Sequence, residues 1–151
     1  MGDKKMSIQN QIYIKKYAFL FEELTPEKLT ELEKMVSDDI VFSDPFNLST
    51  GKEKFIGIFS HMFETMVRPR FEILDLSYSD KTGYIKWRLT GDIKRWNSFS
   101  LDITGMSEIV SDGNGKITAH YDHWDSASQL LIFIPIFGVP IRWLLALFRV
   151  N

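Results

Sequence analysis

The chain contains no cysteine in its 151 residues, which excludes disulfides and thiol chemistry. Charge of one sign is also lacking: 18 Lys plus Arg stand against 20 Asp plus Glu, a net charge of −2. No basic field is present to hold a phosphate backbone, so nucleic-acid binding is not expected. Proline and glycine are sparse, 5 and 9 residues, and no linker, repeat or low-complexity segment divides the chain. A chain this long forms a single domain that buries about 68 to 70% of its unfolded surface. The opening MGDKKMSIQNQ lacks the apolar run of a signal peptide, and Met6 stands where a myristoylation signal requires Ser or Thr, so a cytoplasmic location is expected.

Against these absences, the segment GNGKITAHYDHWD, Gly113 to Asp125, concentrates two of the three histidines with two aspartates, a tyrosine and a tryptophan. After a glycine turn it reads as one strand. Alternation then places Thr118, His120, Asp122 and Trp124 on one face and Ile117, Ala119, Tyr121 and His123 on the other. A strip this polar faces either solvent or a cavity.

The first half reads as helices. Tyr13, Tyr17, Leu20 and Leu24 recur at three- and four-residue spacing, predicting an amphipathic helix. Thr25-Pro26 predicts an N-cap and first-turn proline for a second helix with Leu29, Leu32 and Val36 on its apolar side. Asp38 and Asp39 end it. The short apolar stretch Ile40 to Phe42 leads into Asp44-Pro45, and Thr50-Gly-Lys-Glu53 predicts a capping box for a third helix carrying Phe55, Phe59, Met62 and Met66. From Arg70 the period changes to two, predicting strands over Arg70 to Tyr78, Tyr84 to Lys94, Phe99 to Val110 and the opening strip, joined by turns at Asp80 to Gly83, Arg95 to Ser98 and Asp112 to Gly115. Helices grouped before an antiparallel meander predict an α+β domain with the helices on one face of a twisted sheet.

Residues 130–151 differ in kind. Leu130 to Phe148 carries one charge, Arg142, but Pro135, Gly138 and Pro140 interrupt it, and the unbroken helical part, Ile141 to Val150, is too short to span hydrocarbon. The expectation is an apolar tail that packs on the domain 1–129 or at an interface, with weak membrane-surface contact as the alternative.

The order helix, helix, short strand, Asp-Pro, capped helix, meander resembles the nuclear transport factor 2-like superfamily, which includes ketosteroid isomerase, limonene epoxide hydrolase and SnoaL-like polyketide cyclases. The resemblance spans roughly Ile8 to Gln129 and rests on SDDIVFSDPF, Ser37 to Phe46, and on GKITAHYDHWD. It implies a curved antiparallel sheet wrapped around N-terminal helices, a cone-shaped cavity, a homodimer and a small apolar ligand. It also implies roles for particular residues. Asp44 matches the isomerase's general base in its Asp-Pro setting, while Leu20 stands where that enzyme has its oxyanion tyrosine, with Tyr17 one turn away. Asp122 matches the hydrolase's strand aspartate, Arg88 its bridging arginine, Thr90 its second aspartate, and Phe42 and Asp44 its water-holding pair.

Asp44, Arg88 and Asp122 are thus candidate catalytic residues. Phe42, Phe46, Leu20, Tyr17, Thr90, His120 and Trp124 are candidate substrate contacts. Each has a plainer reading beside it: Asp44 as a turn former, Arg88 and Asp122 as a structural ion pair, His120 as a hydrogen-bonded strand residue, Trp87 and Trp96 as core or interface material. His123 and Asp125 offer only two ligands, so no metal is expected, and no cofactor. His61 is given no role. The functions that remain are a cofactor-free isomerase, cyclase or hydrolase acting on an apolar oxygen-bearing molecule, a binding module for a lipid-like or polyketide-like ligand, and an adaptor that docks through its tail.

Overall fold

A computed structural model describes residues 8–79, 82–95 and 99–150. Trp96 and parts of the turns expected at Asp80 to Gly83 and Arg95 to Ser98 lie outside them. The described residues form five α-helices and a six-stranded sheet, the α+β class expected. Helix α1 (Ile8–Glu22) is followed by a 3-10 turn (Pro26–Lys28), α2 (Leu29–Met35), β1 (Val36–Ser43), β2 (Leu48–Thr50) and α3 (Lys52–Thr65). Then come β3 (Met66–Tyr78), β4 (Thr82–Ile93), β5 (Phe99–Ser111), β6 (Ile117–His123), α4 (Ser126–Gln129), a second 3-10 turn (Leu131–Phe133) and α5 (Gly138–Ala146).

The strand order is β2-β1-β6-β5-β4-β3. The meander β3 to β6 is antiparallel, as its turns require, but β1 joins β6 in parallel, with Phe42 opposite His120. The sheet is therefore mixed rather than wholly antiparallel. A parallel pairing needs a long crossover, and α3 with the meander supplies it. This register sets the site, because it lays the apolar β1 beside the polar strip.

Four local expectations are corrected. The helix assigned through Val36 ends at Met35, and Val36 is a fully buried strand residue. Met66, expected on α3, begins β3. The capping box does not form: Thr50 belongs to β2 and the N-cap is Gly51, at φ 109° and without a side-chain bond. Thr25 holds the N-cap position before Pro26 but makes no capping bond either.

The core lies between the sheet and α1 and α3. Ile14, Tyr17, Ala18 and Phe21 form the buried stripe of α1, facing Phe55 and Phe59 from α3 and Ile85, Trp87 and Leu89 from β4. β3 keeps its core face through a bulge: pairing shifts between Ile73 and Asp75, so Phe71 and Ile73 point inward, and after the extra residue Leu76 and Tyr78 do. Leu74, at the bulge, is exposed. Pro69 sits in a second irregularity, between Val67 and Arg70, where the ladder demands no N–H.

Candidate functional site

Alternation on β6 puts His120 and Asp122 on the inner face, and antiparallel pairing brings Ser107 of β5 directly opposite Asp122. Ser107 in turn pairs with Ile85 of β4, whose neighbour two residues on, Trp87, lies opposite Gly105. A side chain at Gly105 would collide with the indole, since a Cβ there would fall 2.5 Å from Trp87 Cζ2. Glycine thus lets Trp87 lie flat across β5 and reach Ser107. Tyr17 descends from α1 on the other side of His120.

These five side chains form one hydrogen-bonded chain. Tyr17 Oη lies 2.7 Å from His120 Nδ1, His120 Nε2 lies 2.8 Å from Asp122 Oδ1 and 3.2 Å from Ser107 Oγ, and the Ser107 hydroxyl also bonds Asp122 Oδ1. Trp87 Nε1 donates to Ser107 Oγ at 2.8 Å.

The direction of each bond follows from the groups themselves. Indole N–H can only donate, so Ser107 accepts from Trp87 and spends its one proton on Asp122. Burial, and next the negative charge of Asp122, raise the Tyr17 pKa well above its ordinary 10.0. A carboxylate oxygen accepts, so the bond to Asp122 takes its proton from His120 Nε2, and the Tyr17 phenol keeps its own proton and donates to Nδ1. Every donor points toward one carboxylate. Both bonds end on Oδ1, and Asp122 itself lines a cavity.

That cavity is bounded by Phe21, Phe59, Phe71, Ile73, Ile85 and Trp87, with Ser107, His120 and Asp122 as its polar floor. The space between these side chains is about 320 Å³ with its mouth. Only about 20 Å³ is open to the centre of a water molecule, room for about one water-sized group. The His120 side chain is 5% exposed and that of Asp122 16%, so the imidazole is sealed and the carboxylate is reachable. Rings of Tyr17, Phe21, Phe42 and Phe55 surround the imidazole at centroid separations of 5.4 to 6.0 Å, fixing its plane.

The structure brings together only part of the expected set. Asp122, His120 and Tyr17 meet at the cavity floor. Phe42, fully buried, packs on His120 rather than lining the space. Arg88 does not join Asp122: on β4 it alternates with the inward Trp87 and Leu89, and on the outer face it holds Asp102 at 2.6 and 2.7 Å. Opposite sheet faces preclude an acid, bridge and base trio of Asp44, Arg88 and Asp122. Thr90 shares the outer face with Arg88 and pairs with Asp102.

Asp44 is engaged elsewhere. Its Oδ1 accepts from the backbone N–H of Phe46 at 2.7 Å and of Asn47 at 2.6 Å, and both its oxygens bond the Asn47 amide. It forms the turn between β1 and β2 and is absent from the cavity wall. Phe46 and Trp124 stack edge to face at 5.6 Å beside the site, and Leu20 lines a shallow outer groove between α1 and α2.

Sequence reasoning missed Ser107 and read Trp87 as core or interface material. The signal was present: Leu101, Ile103, Gly105, Ser107 and Ile109 share a face of β5, and a hydroxyl inside an otherwise apolar register requires a partner.

The sequence model of the SnoaL-like domain family matches residues 18–120. A search of the curated proteins finds no match. Among solved structures, the chain resembles a protein of ketosteroid isomerase-like fold from Catenulispora acidiphila, solved with trimethylamine, at 16% identity and a TM-score of 0.67, covering 87% of this chain and 95% of that one. It resembles a candidate SnoaL-like polyketide cyclase from Shewanella putrefaciens at 17% identity and 0.64, covering 82% and 97%. An LEH-like epoxide hydrolase from M. tuberculosis aligns at 14% identity and 0.63, covering 90% and 92%. At these identities the likeness is one of fold.

Proposed function

Because the chain belongs to the SnoaL-like domain family, we propose that it is a cofactor-free acid–base enzyme whose proton-transfer group is Asp122, acting on an apolar oxygen-bearing molecule. The observation that carries this reading is the convergence of the Ser107 and His120 donors on one oxygen of a carboxylate beneath an apolar cavity. Asp122 is anchored through Oδ1 alone on the floor of the cavity, which leaves its second oxygen available to a ligand there. Tyr17 lies behind the cavity floor and fixes the imidazole tautomer, while His120 positions the carboxylate from the floor itself.

The walls limit the chemistry. Ser107, His120 and Asp122 are the polar lining, and no cation stands among the lining residues to hold an oxyanion. A base without such a donor contributes about 10² to 10⁴ in rate. The substrate class that suits it is a carbon acid that delocalises its own negative charge, such as a 1,3-dicarbonyl, whose C–H proton passes to Oδ2 and returns at another carbon or oxygen. A molecule of that size must displace the rings of Phe59 and Phe71 to enter. A second reading, activation of water for epoxide opening, is favoured by the one-water volume beside Asp122. Two of the fold relatives, a candidate polyketide cyclase and an epoxide hydrolase, support both readings.

The test is deuterium exchange and product formation on a panel of aromatic 1,3-dicarbonyls and terpenoid epoxides. Asp122→Asn is expected to lower the rate by about 10² or more while Asp44→Asn retains it. Equal rates in wild type and Asp122→Asn would refute the assignment.

A further inference from the structure

Beyond Ser126 the charge pattern changes: all 20 acidic residues of the chain precede it, while Arg142 and Arg149 follow it. The same segment carries the densest run of exposed apolar side chains. Ile136 is 86% exposed, Trp143 66% and Phe148 79%, and Phe137, Val139, Leu144 and Leu147 are exposed beside them. We propose that this tail docks the protein on the surface of an anionic lipid bilayer.

The tail is built to present that face. Its base is fixed to the sheet: Gln129 accepts from Thr104 N–H at 2.7 Å and donates to Thr104 C=O at 3.0 Å, continuing the β5 ladder beyond the end of β6. Phe133 stacks on Phe99, and Arg142 donates to the Ile132 carbonyl at 2.6 Å, closing α5 back on the preceding turn. At the tip the chain adopts a conformation that costs energy. Ile136 has φ 74°, and the three-residue turn is closed by Phe137 N–H donating to Pro135 C=O at 2.9 Å. A β-branched residue is strongly disfavoured there, and here the strain holds an isoleucine out in solvent, where nothing within the fold gains from it.

Length and charge select the occupant. Among the described residues no helix is long and apolar enough to cross a membrane, so α5, nine residues long, inserts at most part-way. Tryptophan and arginine are the side chains that suit the headgroup boundary, the ring in the interface and the guanidinium on lipid phosphate. A second copy of the tail is a poorer match, because a two-fold contact would set Arg142 and Arg149 against their own kind with no acidic side chain in the tail to meet them.

The test is co-flotation of the full chain with phosphatidylcholine vesicles, with and without phosphatidylglycerol. Binding is expected with phosphatidylglycerol only and is expected to weaken as salt rises. Arg149→Gln should reduce it about fivefold, the effect of one basic residue at an anionic surface. The double variant Trp143→Ser, Phe148→Ser should abolish it with an unchanged melting temperature, since both side chains are exposed. Arg142 is spared because it holds the Ile132 carbonyl. Failure to float with either vesicle, equal binding to both, or sedimentation as a dimer that the double variant dissociates would each overturn the proposal.

Discussion

The Asp44 turn and the Asp122 floor present two aspartates with equal claims in the sequence and opposite fates in the fold. At Asp44 the donors are local, from residues two and three positions on, and the carboxylate serves the backbone that carries it. At Asp122 one donor, His120, is likewise two positions away, but the other, Ser107, comes from the neighbouring strand, and a further bond ties His120 to a helix more than 100 residues earlier in the chain. A carboxylate spent on its own turn has nothing left for a substrate; one held at a single oxygen by a network that spans two strands and a helix does. The outer-face pair of Arg88 with Asp102 shows the same contrast, since its groups are well matched but exposed.

Four substitutions separate the Asp122 network from the exposed contacts. The largest loss of stability is expected for His120→Ala, about 3 to 5 kcal/mol, because it opens a void among four rings and strands the buried Tyr17 hydroxyl; denaturant unfolding measures it. Gly105→Ala should cost about 1 to 3 kcal/mol by forcing the Trp87 ring aside. If the Trp87 to Ser107 bond anchors the floor, that variant also loses turnover in the dicarbonyl and epoxide panel.

Tyr17→Phe comes next, at about 1 kcal/mol near neutral pH, with a distinctive pH signature. The folded-state pKa of Tyr17 lies above its ordinary 10.0. Above that ordinary value the unfolded chain sheds a proton that the folded chain keeps. This contribution to stability is thus fully present below pH 10.0 and is lost as pH rises toward the buried phenol's own value. The phenylalanine variant lacks that part of the alkaline decline, which thermal melts across the range detect. Arg88→Gln should change stability least, by roughly 0 to 1 kcal/mol, as for an exposed ion pair, and should leave turnover intact.

Much of the fold was legible because period-two alternation and turn residues are local. The floor was half legible for the same reason: one look at β6 puts His120 and Asp122 together. What failed needed information that does not reside in one segment. Arg88 and Asp122 each alternate regularly, but only the register of β4 on β5 and of β5 on β6 shows that they face opposite sides. The phase of α1 was ambiguous because apolar residues surround it, Ile12 and Phe19 on the outside included. A stripe of Tyr13, Tyr17, Leu20 and Leu24 looked as good as the true one of Ile14, Tyr17, Ala18 and Phe21. Tyr17 belongs to both, yet its partner His120 could not be read from the helix. The bulge in β3 reversed parity after Ile73, which no alternation count anticipates. Asp44 carried the signals of a base and of a turn together, and only its hydrogen bonds separate them.

The convergence of this network's donors on Asp122 is tested by ¹⁵N and ¹H NMR of the His120 imidazole near neutral pH. The prediction is a proton on Nε2 coupled across the bond to Asp122, with Nδ1 unprotonated and accepting from Tyr17. A proton on Nδ1 with Nε2 bare would reverse the chain, take the His120 donor from Asp122 and contradict the account.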